Sequence, residues 1–201
     1  SPFGLSFSAN FTLILVNRSA AAGGSFAVMC YAPVSYVTYV VTMLFQGVGD
    51  GSQPLISLAH GRGDAMRVRR LFRLACLFSA AVGAACMAGV FLTRGWVGIL
   101  FGASDAVARS VRDILPLFLL GFLPLSFARE ATSFFYATEK NTAAYLLIYG
   151  EPLCLFLLLL FLPAACGITG TWLSVLLSQL LTGIFAAYLY RRISAGEASV
   201  Q

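Results

Sequence analysis

The chain has 201 residues, of which 59% are hydrophobic and only 10% charged, with a net charge of +5. A soluble domain of this size cannot bury so much apolar surface, because its surface-to-volume ratio leaves too few interior positions; the mean hydropathy of +0.86 excludes it as well. The positive balance is not a nucleic-acid footprint, since no basic face is interleaved with exposed aromatics.

Crossing a bilayer takes about 20 mainly apolar residues in helical geometry. Six runs qualify, at residues 5–22, 26–59, 71–93, 114–136, 142–162 and 171–190. They predict an all-α membrane protein, a single six-helix transmembrane bundle over residues 1–201. The first run begins almost at once, without an initiating Met, a basic n-region or a small-residue cleavage site, and reads as a segment of a longer protein. Ser6, Ser8, Asn10, Thr12 and Asn17 give it a polar face. Asn10 and Asn17 share that face by helical spacing, so it lines a cavity or joins helices through amide bonds. Arg18 follows directly.

The second run is too long for one straight crossing and contains Pro33, Gly47, Gly49, Asp50, Gly51 and Pro54. Proline removes a backbone hydrogen bond and glycine tolerates unwinding, so this helix is expected to bend or unwind between Gly47 and Pro54. Asp50, near the end of its span, suits a capping role or an ion site. Between the third and fourth runs, residues 94–113 contain Trp96, Ile99, Leu100 and Phe101, then Ser104-Asp105 as a helix start. That pattern predicts a short amphipathic helix on the outer surface, with Trp96 at headgroup level. The fourth run has Pro116 and Pro124, with a break expected near Pro124, and then Arg129 and Glu130. Being adjacent, these two charges point about 100° apart and meet different neighbours. The fifth run has Gly150-Glu151-Pro152 about halfway.

Charges at membrane depth cost at least ~2.5 kcal/mol each on insertion scales, so each marks a candidate site. The substrate or coupling-ion candidates are Glu151, Glu130, Arg129, Asn10, Asn17 and Asp50. The candidate hinges are Gly47, Gly49, Gly51, Pro54, Pro124, Gly150 and Pro152. Glu151 has no counter-ion in its own span, so it exchanges protons or pairs across helices with Arg129 or Arg18. Breakers beside ionisable groups are what a secondary transporter needs, because unwound segments and helix ends bind ions and act as pivots. Lys140 is the only lysine and stands in Thr138-Glu139-Lys140-Asn141, so no phosphate-binding P-loop is present and an ion gradient or a partner must supply the work. The five cysteines are scattered without ligand spacing, and His60 has no second ligand nearby, so no metal site or organic cofactor is expected.

Arginine-rich short loops stay in the cytoplasm. Eight basic residues (Arg62, Arg67, Arg69, Arg70, Arg73, Lys140, Arg191 and Arg192) fall on one side, against Arg94, Arg109 and Arg112 on the other. Both ends of the chain are therefore expected in the cytoplasm, in an inner (plasma) membrane, with Trp96 outside. The same charges attract anionic headgroups.

The stretch from Gln46-Gly47-Val48-Gly49-Asp50-Gly51-Ser52-Gln53-Pro54-Leu55-Ile56-Ser57 through His60-Gly61-Arg62-Gly63-Asp64 to Arg67–Arg70 resembles the multidrug and toxin extrusion (MATE) family, in which a Gly-rich segment ending in Gln-Pro-Leu-Ile-Ser leads into a basic cytoplasmic loop. Leu15-Val16-Asn17 with Gly23-Gly24 is similar to the start of the family's second six-helix half, Phe135-Tyr136-Ala137 with Lys140 to the cytoplasmic end of its fourth helix, and Gly167-Ile168-Thr169-Gly170-Thr171-Trp172-Leu173 to the turn opening its last helix. The turn Leu58-Ala59-His60-Gly61 lacks the family's customary Tyr. The resemblance implies sodium- or proton-coupled antiport of cationic or amphipathic compounds by two rocking lobes. This chain would be the C-terminal lobe, completed by an N-terminal six-helix lobe or by a second copy. For sodium-coupled members it also implies acids in the first and fourth helices of this half; here the first offers Asn10, Asn17 and Arg18 but no acid, and the fourth offers Glu130. Two alternatives stand beside it. A lipid-linked oligosaccharide flippase of the same superfamily would need a cluster of cavity arginines, for which only Arg18 and Arg129 are candidates. A non-transporting membrane scaffold subunit would leave Glu151 and Asn10 dispensable except for folding.

Overall fold

A computed structural model describes residues 2–198, with side-chain surroundings for residues 8 and 10–194. Ser6, on the polar face of the first run, lies outside the described side chains. The elements are α1 (Pro2–Ala22), α2 (Ser25–Gly61), α3 (Ala65–Leu100), α4 (Asp105–Leu119), α5 (Phe122–Ala137), α6 (Asn141–Cys166) and α7 (Ile168–Ala198). Of these, α2, α3, α6 and α7 are long and apolar enough to cross a membrane. The pair α4 and α5, bent by 48° at its break, makes a fifth crossing if counted as one span. α1 has spanning length but carries Asn10, Asn17 and Arg18, and it does not meet the same apolar measure.

Short connections force the helices to run back and forth, and three apolar clusters stack along the bundle. At the end bearing the arginine-rich loop, Phe72, Phe134, Phe135, Leu147 and Leu189 pack together. Val41, Phe45, Phe122 and Leu125 fill the middle. At the opposite end Val16, Tyr31, Val111, Phe118 and Trp172 meet, with the Tyr31 and Trp172 rings stacked at 5.6 Å between centroids. The helix at the centre is α5. It packs against α2, α3, α6 and α7, and nearly its whole circumference is buried. A helix in that position presents any charge it carries to protein, not to lipid.

The expected breaks are only partly present. α2 is continuous through Gly47, Gly49, Gly51 and Pro54, and α6 is continuous through Gly150 and Pro152; neither unwinds. The glycine at 49 instead serves close packing. A Cβ there would strike the Ser133 hydroxyl of α5, so this glycine sets how near the two helices lie. The fourth run does break, but at Leu120–Gly121, ahead of Pro124. The proline ring clashes with the carbonyl four residues earlier, which is that of Leu120. The chain yields there, and Pro124 falls in the first turn of α5, where its missing N–H costs nothing. At the corner, a Cβ at Gly121 would meet the end of the Gln179 side chain of α7, which would have to move aside.

The outer segment also differs from expectation. Trp96, Ile99 and Leu100 belong to the last turns of α3, which runs well beyond residue 93. Ser104 and Asp105 do open a helix, but it is α4, leading directly into the break. This short helix is amphipathic, as expected, but its apolar face, with Val107, Val111 and Leu115, is buried in the core instead of lying on the outer surface. Trp96 itself is largely exposed.

Candidate functional site

Among the described residues three charged side chains are buried, between the middle cluster and the one at the arginine-rich end: Arg129 and Glu130 on α5, and Glu151 on α6. As the helical angle between neighbours requires, Arg129 and Glu130 meet different surroundings. Arg129 Nη2 donates to Glu151 Oε2 at 2.9 Å. Both side chains are about nine-tenths buried, so each neutralises the other away from water. Of the two arginines expected as partners of Glu151, the one that pairs with it is Arg129 and not Arg18.

Glu130 is 1% exposed and turns toward α2 and α3. Ser52 Oγ lies 3.5 Å from its Oε2. That hydroxyl has one hydrogen and already donates it to the Gly49 carbonyl at 3.0 Å. Oε1 has no hydrogen-bond partner. The Ser79 hydroxyl of α3 is near enough to interact with the carboxylate, yet it too is buried without a hydrogen bond. Cys76 and Asp50 are also close. Among the described residues no cationic side chain pairs with Glu130. Its surroundings are oxygen- and sulfur-bearing groups that could take up a small cation or share a proton.

The remaining candidates disperse. Asp50 is exposed and accepts from Gln46 Nε2 at 2.7 Å; it lies inside α2, so its expected role in ending the helix is not what the structure shows. Asn10 is exposed and Asn17 half-buried, both on α1, which packs chiefly on α6. Gly47, Gly51 and Gly150 have open space where a Cβ would stand. Sequence reasoning missed Ser52, Ser79 and Gln179. Ser79 could have been found, because it shares the helical spacing of Phe72, Ala75 and Gly83 in the buried stripe of α3.

The MatE family model matches residues 3–161. The chain belongs to the MatE family. No curated protein sequence matches it, but solved structures do. A MATE crystal structure in the bent conformation superposes with a TM-score of 0.87 at 15% identity, over 98% of this chain and 45% of that one. The outward-facing conformation of a multidrug resistance MATE family transporter of the MOP superfamily gives 0.84 at 13% identity, over 97% and 44%. A MOP superfamily transporter from Pyrococcus furiosus gives 0.76 at 14% identity, over 92% and 43%. This MatE chain thus spans less than half the length of these structures and has the fold of one lobe. It is a multi-pass membrane protein of a transporter family, not an enzyme.

Proposed function

We propose that this MatE lobe works in cation-coupled antiport, moving cationic or amphipathic compounds out of the cell against an inward flow of protons or sodium ions. Glu130 is the group that takes the coupling ion. The observation that carries this reading is the pairing pattern of the buried charges: Glu151 has its arginine, whereas Glu130 has neither a cation nor a committed donor. An ionised carboxylate in that position is strongly unfavourable unless a cation or proton compensates it. Binding and release of that compensating ion can bias the helices that surround it, α2, α3 and α5, between two packings.

The break at Leu120–Gly121 is the pivot available within the lobe, since the two halves of that span are already separate helices. Gly49 and Pro152 are buried and act in packing in this state, whereas Gly47, Gly51, Pro54 and Gly150 lie in continuous helix without close neighbours that would require them. In this reading the arginine-rich loop and both chain ends face the cytoplasm, and the transport path is completed by a second six-helix lobe. The pairing of Arg129 with Glu151 leaves Arg18 as the one candidate cavity arginine, which weighs against a pyrophosphate-binding flippase.

The test is exchange in proteoliposomes holding the complete transporter. A fluorescent organic cation should leave the vesicles when an opposing proton or sodium gradient is imposed, and Glu130→Gln should abolish gradient-driven exchange while the protein still elutes as a folded species. Undiminished exchange in Glu130→Gln would remove Glu130 from coupling. No exchange in the native protein under either gradient would favour the scaffold reading.

A further inference from the structure

At the end of the bundle opposite the arginine-rich loop, α1, α6 and α7 enclose a half-open cavity of about 570 Å³. Its walls are mainly apolar, with Leu15 from α1, Phe156 and Leu160 from α6, and Ile168 from α7. One charge lines it, that of Arg18, and no acidic residue does. Arg18 lies in the last turns of α1 and has no ion pair among the described residues. Beside it, Ser19 Oγ and Thr171 Oγ1 are hydrogen-bonded at 2.9 Å. Only one of the two can donate within that bond, so the pair keeps a hydroxyl hydrogen for another acceptor.

We infer that this groove binds an anionic glycerophospholipid, with its phosphate on Arg18 and an acyl chain along Leu15, Phe156 and Leu160. Two features select a lipid over the missing lobe as the occupant. The first is that residues 153–163 of α6, which form one wall, are Leu, Phe and Pro with a single Cys. Phe156, Leu157, Leu160 and Phe161 there are all exposed. A wall facing an aqueous transport path would carry polar groups at this depth, whereas a lipid-facing wall carries none. The second is the cationic end. A guanidinium at a helix terminus reaches the headgroup level, and here it does so at the mouth of an apolar groove, which matches the layout of a phospholipid. Snorkelling of Arg18 into bulk headgroups alone would leave the groove irrelevant.

Native mass spectrometry of the complete transporter, with added phosphatidylglycerol or phosphatidylcholine, tests the site. The native protein should retain one phosphatidylglycerol in preference to phosphatidylcholine. Arg18→Gln should weaken that binding on the order of fivefold, the effect of one basic contact with an anionic lipid, and Arg18→Lys should keep most of it. Leu160→Trp, which fills the groove and leaves the arginine, should remove the bound lipid. Equal retention by Arg18→Gln and Leu160→Trp would overturn the proposal. In membranes, benzoylphenylalanine in place of Leu159 should crosslink to a phospholipid. Crosslinking to the other half of the transporter instead would assign the groove to that lobe and also overturn it. Should Arg18→Gln fail to accumulate, the Leu160→Trp variant and the crosslink decide.

Discussion

The two sides of α5 differ by one residue in sequence and by everything in chemistry. On one side Arg129 meets Glu151 at 2.9 Å, a closed pair with its charge already balanced. On the other, Glu130 is more deeply buried and has hydroxyls, a thiol and the Asp50 carboxylate near it, with no paired cation among the described residues. A balanced buried pair holds two helices in register and has little to gain from an external ion. An unbalanced one is incomplete without an ion. On the reading proposed above, the contrast gives α5–α6 a structural part and α2–α3–α5 the coupling, and it can be broken by experiment.

The largest effect belongs to the closed side. Glu151→Gln leaves a buried guanidinium uncompensated, which costs about 3–5 kcal/mol, enough to deplete folded protein in fluorescence-detected size exclusion. Replacing both partners, as Arg129→Leu with Glu151→Leu, should recover most of the yield, because an apolar pair of similar volume is often neutral or better. If Glu151→Gln instead accumulates normally but no longer transports, the functional acid is on α6 and the contrast is inverted.

The next effect concerns the approach of α2 to the open side. A β-branched residue at position 49 must displace Ser133, three residues from Glu130 on α5. Gly49→Val should therefore destabilise by about 1–3 kcal/mol through overpacking, read as a lower melting temperature, with Gly49→Ala intermediate. A Gly49→Val protein as stable as the native one would mean that α2 can stand off from α5, and the enclosure of Glu130 would lose its basis.

A smaller change is expected at the corner above α5. In Gly121→Ala the new methyl collides with Gln179, a side chain whose amide oxygen is buried without a partner. Shortening that residue as well makes room, so Gly121→Ala with Gln179→Ala should be more stable than Gly121→Ala alone. Their thermal unfolding should depart from additivity by 0.5 kcal/mol or more, as contacting residues do. Strict additivity would show that the corner does not depend on this contact.

Much of the lobe was legible in the chain. Apolar runs marked the helices because lipid forces every backbone group into internal hydrogen bonds, and the adjacency of Arg129 and Glu130 dictated their divergence. The breakers were harder. Pro54 and Pro124 look alike in sequence, but only the second interrupts its helix. Pro124 follows a glycine corner and opens α5, whereas Pro54 is exposed within α2, which continues past it. What the chain could not announce was which partner each charge finds. Glu151 had no counter-ion in its own span, and its arginine comes from 22 residues earlier, across a helix interface.

The smallest effect separates packing from motion. Gly47 and Gly51 sit in the interior of α2 with nothing within 4 Å of where a Cβ would stand. Neither has a positive φ, so alanine fits both positions without strain. In a continuous helix, Gly→Ala gains up to about 1 kcal/mol from backbone entropy and propensity. Gly47→Ala with Gly51→Ala should thus raise the melting temperature slightly. The informative quantity is transport in the same protein. If α2 stays helical through the whole cycle, gradient-driven exchange is unchanged or improves along with stability. If α2 unwinds between Gly47 and Pro54 in another state, the alanines penalise that state by the same margin, and exchange slows severalfold while stability rises. Opposite movement of the two readouts would identify this segment as a hinge that the present conformation holds closed, and would move the pivot from the corner at Gly121 into the wall beside Glu130.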